Sequence, residues 1–259
     1  MFDRLQKPFL TVETGEAYQP LRISYELLQK EALIALLDNT VCLTKNPSST
    51  DSWNWYWKGE CDALQFDSLD SFKRNPEHPV RLGAIMLKGD AFYISLPSFK
   101  RACLGVPFFH KLIKSDIARL DHVDFINKVF GLDERLPHGF TELFKEEELT
   151  RILEQRNEEY HTVQAQCEDA PTVEVAFGIL KDYTEAEAHK RLPYAERYVF
   201  DMSAASEPEI VFLSFYIFLR SRELVAIKRW FGSSGYSLAD AADEVVQQVF
   251  GDMNIDMLE

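Results

Sequence analysis

The sequence predicts an α+β protein, with an antiparallel meander over about residues 53–97 packed against several helices and a helix-rich C-terminal half. Three observations carry this expectation. Trp53, Trp55 and Trp57 alternate, which places them on one face of an extended strand. Residues 80–87 and 91–96 read as strands joined at Lys88-Gly89-Asp90, a natural hairpin tip. Beyond residue 141 the apolar positions mostly follow helical spacing, which leaves little room for an alternating βαβ sheet.

Element by element, residues 1–20 read as extended chain or loop, with residues 9–12 a short strand. Ser24 is placed to cap a helix through residue 37, whose Leu27, Leu28, Leu33, Ile34, Leu36 and Leu37 are apolar on most sides. A turn-rich loop at 46–52 leads into the tryptophan strand, read over 53–66. Ser98 caps a helix over 99–114 that Pro107 interrupts. A second helix is expected over 116–130, with Ile117, Leu120, Val123 and Ile126 on one stripe and Gly131 as its stop. Thr141 opens a long charged helix to about residue 166, whose Leu149, Ile152, Leu153 and Tyr160 share a face.

Glu168-Asp169-Ala170-Pro171 marks a possible subdomain boundary near 167–172, within a single globular domain over 1–259. Residues 172–180 then read as a strand. Thr184 and Glu187 have the spacing of a capping box for a short helix to 192, and a further short strand is expected over 197–202. The longest helix is expected over 207–231. Gly232–Gly235 ends it, and Ser237 with Asp240 opens a last helix to about residue 250.

Composition narrows the function classes. A hydrophobic fraction of 46%, with 19 phenylalanines, is that of a packed chain and not a disordered one. The longest apolar run, residues 210–219, covers about half of the roughly 20 residues that a membrane helix needs. The first eight residues lack the apolar stretch of a signal peptide, so a soluble, cytoplasmic protein is expected. The net charge of −14 disfavours general nucleic-acid binding, which needs clustered cations. Two stretches, 100–119 and 220–229, are locally basic. They are read as solvated helix faces or as internal partners of the acidic segments.

Motifs for chemistry are sparse. Cys42, Cys61, Cys103 and Cys167 are too scattered for a C-x-x-C site and read as buried free thiols. Asp121-His122-Val123-Asp124 holds three potential ligands, but on a helix His122 would point away from the two carboxylates, so no metal site is expected. Glu158 and His161 have di-iron spacing without the second half of such a site. Gly232-Ser233-Ser234-Gly235 lacks the pattern of a nucleophile elbow. Phosphate-binding glycine loops are absent, and no cofactor is indicated. No motif is dense enough to carry a family resemblance.

The resulting expectation is a non-catalytic regulatory or interaction protein that binds a macromolecular partner through acidic and aromatic surfaces. Its partner-binding residues are sought in the acidic C-terminal segment, at Asp252, Ile255, Asp256 and Met257. The alternative is an enzyme or small-molecule receptor with a dispersed site beside the Trp53, Trp55 and Trp57 face. There His138, in a loop after Pro137, is a further ligand-binding candidate, and His110 or His122 supplies proton transfer. The tryptophan face itself is expected to serve packing first, since large aromatics usually do.

Overall fold

The computed structural model describes residues 8–66, 75, 77–89, 91–137, 140–143, 146–202 and 207–251. Among these, seven antiparallel strands form one sheet: β1 (Leu21–Leu27), β2 (Leu43–Lys45), β3 (Ser52–Tyr56), β4 (Arg81–Lys88), β5 (Ala91–Leu96), β6 (Ala118–Ile126) and β7 (Ala195–Val199). The helices are α1 (Lys30–Asp38), α2 (Phe99–Leu112), the single turn α3 (Phe140–Leu143), α4 (Glu146–Glu168), α5 (Val173–His189), α6 (Pro208–Trp230) and α7 (Leu238–Phe250). The α+β class and the helix-rich C-terminal half follow as expected.

Strand order is β2-β3-β4-β5-β1-β6-β7. The meander is therefore present as β3-β4-β5, with Gly89 at φ +63° in the hairpin turn that joins the last two strands. The registers line up Trp53, Ile85, Ile94, Ile23 and Val123 across five strands. Alternation then places all five on one face, and all five are buried. That face packs against α1, α2 and α6, which contribute Leu33, Leu37, Phe99, Phe109, Phe215 and Leu219 to the core. On the opposite face, Leu143 of α3 and Leu153 of α4 cover Ile126 and Ala195 at the β6–β7 corner.

Four expectations are corrected by the structure. Residues 24–37 are not one helix: Ser24 lies inside β1, and helix begins only at Lys30. Because β1 pairs on both sides, with β5 and β6, tertiary pairing overrides its helix-like leucines. Residues 116–130 are not a helix either. They hold β6, whose register against β1 shifts between Ser24 and Tyr25, so Ser24 pairs with His122 and Tyr25 with Leu120. The extra residue, Asp121, is a bulge, and it leaves both Leu120 and Val123 buried three positions apart. A bulged strand thereby imitates helical spacing.

Residues 172–180 are the opposite case. Val173, Val175, Phe177 and Ile179 alternate like a strand, yet they begin α5. The Thr172 side chain caps that helix by accepting the Val175 N–H at 3.4 Å. Thr184 consequently lies mid-helix and caps nothing; its hydroxyl donates to the Lys181 carbonyl. Smaller differences are that β3 ends at Tyr56, before a 3-10 turn at Gly59–Cys61, and that β7 begins at Ala195.

The helices at Ser98, Glu207 and Ser237 start where their caps and prolines indicate. Ser98 accepts the Arg101 N–H at 3.2 Å, Pro208 occupies the first turn of α6, and Ser237 with Asp240 forms a reciprocal capping box. Pro107 is accommodated inside α2 without ending it. Among the described residues no helix is long and apolar enough to cross a membrane.

Candidate functional site

The tryptophan face is filled. Trp55 has no exposed surface; its indole stacks on Phe108 at 5.7 Å, meets Phe109 edge-on at 4.9 Å, and donates its N–H to Cys61 Sγ at 2.8 Å. Its ring lies so close to α2 that a Cβ at Gly105 would stand 3.2 Å from it. Trp53 is equally buried and donates Nε1–H to Asp38 Oδ1 at 2.7 Å. That bond, helped by the Lys45 ammonium, lowers the pKa of the Asp38 carboxyl. Trp57 packs edge-on against Phe66 at 4.8 Å. No indole face is left open for a ligand, and neither of the two widest clefts described below is lined by one of these residues.

The opposite face of the sheet carries a charged row. Arg22 of β1, Asp124 of β6 and Arg197 of β7 lie directly across from one another. Asp124, with no exposed surface, accepts Arg197 Nε at 2.6 Å and NH2 at 3.0 Å, and Arg22 NH2 at 3.3 Å. His122 Nε2 stands 3.5 Å from the same carboxylate, and its Nδ1 is 2.8 Å from Asp121 Oδ2. Burial alone would raise the pKa of Asp124, but the hydrogen bonds and charges of His122 and Arg197 outweigh it and hold it at about 2. His122 and Asp124 thus converge, contrary to the helical reading. Asp124 is met by two guanidinium cations, and among the described residues no cluster of three or more His, Cys, Asp or Glu could hold a metal ion.

His110 lies against the Phe212 ring at 5.0 Å, and its pKa is lowered by burial. His138, Asp252, Ile255, Asp256 and Met257 lie outside the described residues. The basic stretch of α6 is internally satisfied. Arg222 forms a bidentate pair with Glu196 at 2.7 and 3.1 Å and stacks over Phe218, while Arg220 pairs with Glu223 and Lys228 with Glu244.

A cleft of about 510 Å³ opens above the Arg222–Glu196 pair, between α4, α5 and the start of α7. Two of its cations are matched in place: Arg222 by Glu196, and Lys190 by Glu159 at 3.2 Å and also by Glu187, contacts that raise the Lys190 pKa. A second, open groove of about 760 Å³ runs between α4 and α5, lined by His161, Ala165, Pro171, Val175 and Ile179.

The α5 helix beside these clefts, like the described side chains of α4, is packed only in part. Seventeen residues long, it buries none of its side chains. Val173, Phe177 and Leu180 fall at i, i+4 and i+7, one stripe of the helix, and are 82%, 68% and 45% exposed. Val175 borders the groove on the other flank, and Tyr160 of α4 is also exposed. Together α4 and α5 carry eleven Asp and Glu against three Lys and Arg. The hairpin is thus an acidic surface with an apolar stripe along it. The excess of acid over 141–169 was visible in the sequence. The stripe was hidden because its residues were read with period two.

Comparison with known protein families, with curated proteins and with solved structures returns no match to this chain.

Proposed function

We propose that this chain is a non-catalytic interaction protein that captures a macromolecular partner through the acidic α4–α5 hairpin. The observation that carries this reading is the open stripe of Val173, Phe177 and Leu180 on a helix with no fully buried side chain. Apolar side chains set in a row on a monomer surface mark an interaction site more often than scattered ones do. Covering Val173 and Phe177 would contribute about 1–2 kcal/mol each, and covering the half-exposed Leu180 about 1 kcal/mol. The surrounding carboxylates supply the other half of recognition, since a single-sign field speeds encounter with an oppositely charged partner and rejects like-charged ones.

Supporting this over the receptor reading, the tryptophan face is occupied by α2, and in the smaller of the two clefts Lys190 and Arg222 are already paired with carboxylates. The test is site-specific photo-crosslinking in extract of the source cells, with a photoreactive phenylalanine at position 177 and, as control, at exposed Val199 on β7. A discrete adduct from position 177, lost when Val173 and Leu180 are changed to Ser, is the expected result. Equal labelling from both positions, or none from 177, would contradict the reading.

A further inference from the structure

We infer that the element docking on the hairpin is a cationic amphipathic helix of another protein. This rests on the interaction reading above and names the chemistry of the partner. The first ground is shape. Val173, Phe177 and Leu180 form a straight row about 10 Å long, two turns of helix at 1.5 Å per residue. A row of that period and length is matched by a second helix presenting apolar residues at i, i+3 or i+4, and i+7. A strand, with its period of two, would meet the row at only one or two points.

The second ground is that the row has room for such a helix. The cleft between α5 and α7 is lined from α5 by Tyr183, Thr184, Glu187 and Ala188, all C-terminal to Leu180. The N-terminal two turns of α5 are left uncovered, as the exposure of Phe177 records.

The third ground is charge. On a helical projection, Glu174 and Glu185 stand on the outer flank of the stripe, both exposed, with Lys181 between them and engaged with Glu185 at 3.7 Å. A docked helix therefore faces two carboxylates and one lysine along its solvent-side edge, a net negative edge that favours Lys or Arg opposite Glu174. Acidic residues there are repelled. The same point disfavours a second copy of this chain as occupant. Apposing two copies of α5, each with four acids against one base, would bring like charges together beside the stripe.

The experiment is fluorescence anisotropy of the full chain with a labelled probe helix of about 18 residues, long enough for five turns. The probe carries leucine on one face and lysine on the other, and a scrambled peptide of identical composition serves as its control. The expected result is saturable binding, at least about tenfold tighter than that of the scrambled peptide, which Phe177→Ser weakens by at least about tenfold and Val199→Ser leaves unchanged. Binding should also weaken as salt rises from about 0.05 to 0.5 M, because the flanking pairs are exposed.

Equal binding of the scrambled peptide, or insensitivity to Phe177→Ser, would reduce the interaction to bulk charge and overturn the inference. A concentration-dependent dimer of the free chain that Phe177→Ser disrupts would also overturn it, by assigning the stripe to a second copy. If crosslinking at position 177 captures a partner through an acidic or extended segment, this inference fails while the interaction reading stands. If position 177 captures nothing, both fail.

Discussion

Strand β3 and helix α5 carry nearly the same local pattern and put it to opposite uses. Both alternate large apolar residues with smaller or polar ones: Trp53 and Trp55 in one, with Trp57 just past its end, and Val173, Val175, Phe177 and Ile179 in the other. In β3 the alternation is a true strand period, and α1 and α2 close over its face until Trp53 and Trp55 have almost no exposed surface. In α5 a threonine cap and a run of helix-formers after Leu180 turn the same alternation into a helix. That helix rests on α4 and reaches α7, yet keeps Phe177 more than two-thirds exposed. Period alone therefore does not decide whether an aromatic serves the core or the surface. Whether another element lies over it does.

The largest effect that separates the two regions is on stability. Trp55→Ala should remove about 3–5 kcal/mol, since it empties a site walled by Phe108, Phe109 and Gly105 that α2 cannot collapse into. Urea unfolding would register this as a large fall in midpoint. Asp124→Asn comes next. It should cost about 2–3 kcal/mol, less than the 3–5 of a wholly buried pair, because Arg22 and Arg197 both reach water.

The same carboxylate sets an acid limit. Its folded pKa of about 2 is below the ordinary unfolded value of about 3.9, so its contribution is full above pH 4 or so. It is lost as pH falls toward 2. The unfolding free energy of the native chain should decline over that window, and that of Asp124→Asn should decline less.

A smaller effect is expected at the caps. Ser237→Ala opens the capping box of α7 and should cost about 1 kcal/mol. Thr172→Ala should cost no more than that, and should appear as faster amide exchange confined to the first turn of α5. At the bottom of the scale, Phe177→Ser should change stability by less than about 0.5 kcal/mol, because the ring touches little in the free chain. Its effect belongs to binding.

What could be read from the sequence was whatever local chemistry determines. The starts of α2, α6 and α7 were legible because Ser98 and Ser237 with Asp240 satisfy helix-terminal N–H groups within three residues of themselves, while Pro208 in the first turn of α6 has no N–H to satisfy. The β4–β5 hairpin was legible because Gly89 takes the positive φ that its turn requires. What stayed hidden depends on distant partners. The β1 strand looks helical until β5 and β6 pair with it, and β6 looks helical because the Asp121 bulge converts a period of two into a step of three.

The charged row of Arg22, Asp124 and Arg197 is assembled from residues up to 175 positions apart, so no spacing rule could have found it. The stripe on α5 was present in the sequence at helical spacing, but the competing period of two masked it. A weight on Thr172 as a cap, followed by Glu174 in the first turn, is the signal that would have exposed it.

The most direct test of the contrast between the two regions is a paired measurement on single preparations of Trp55→Ala and Phe177→Ser. Each is followed by its urea midpoint and by its affinity for the leucine–lysine helix, in conditions where both remain folded. The account predicts that Trp55→Ala lowers the midpoint sharply and leaves affinity within about twofold of the native chain, whereas Phe177→Ser leaves the midpoint in place and weakens binding about tenfold or more. If Trp55→Ala weakens binding while Phe177→Ser does not, the ligand surface belongs to the tryptophan strand and the roles assigned to β3 and α5 are wrong.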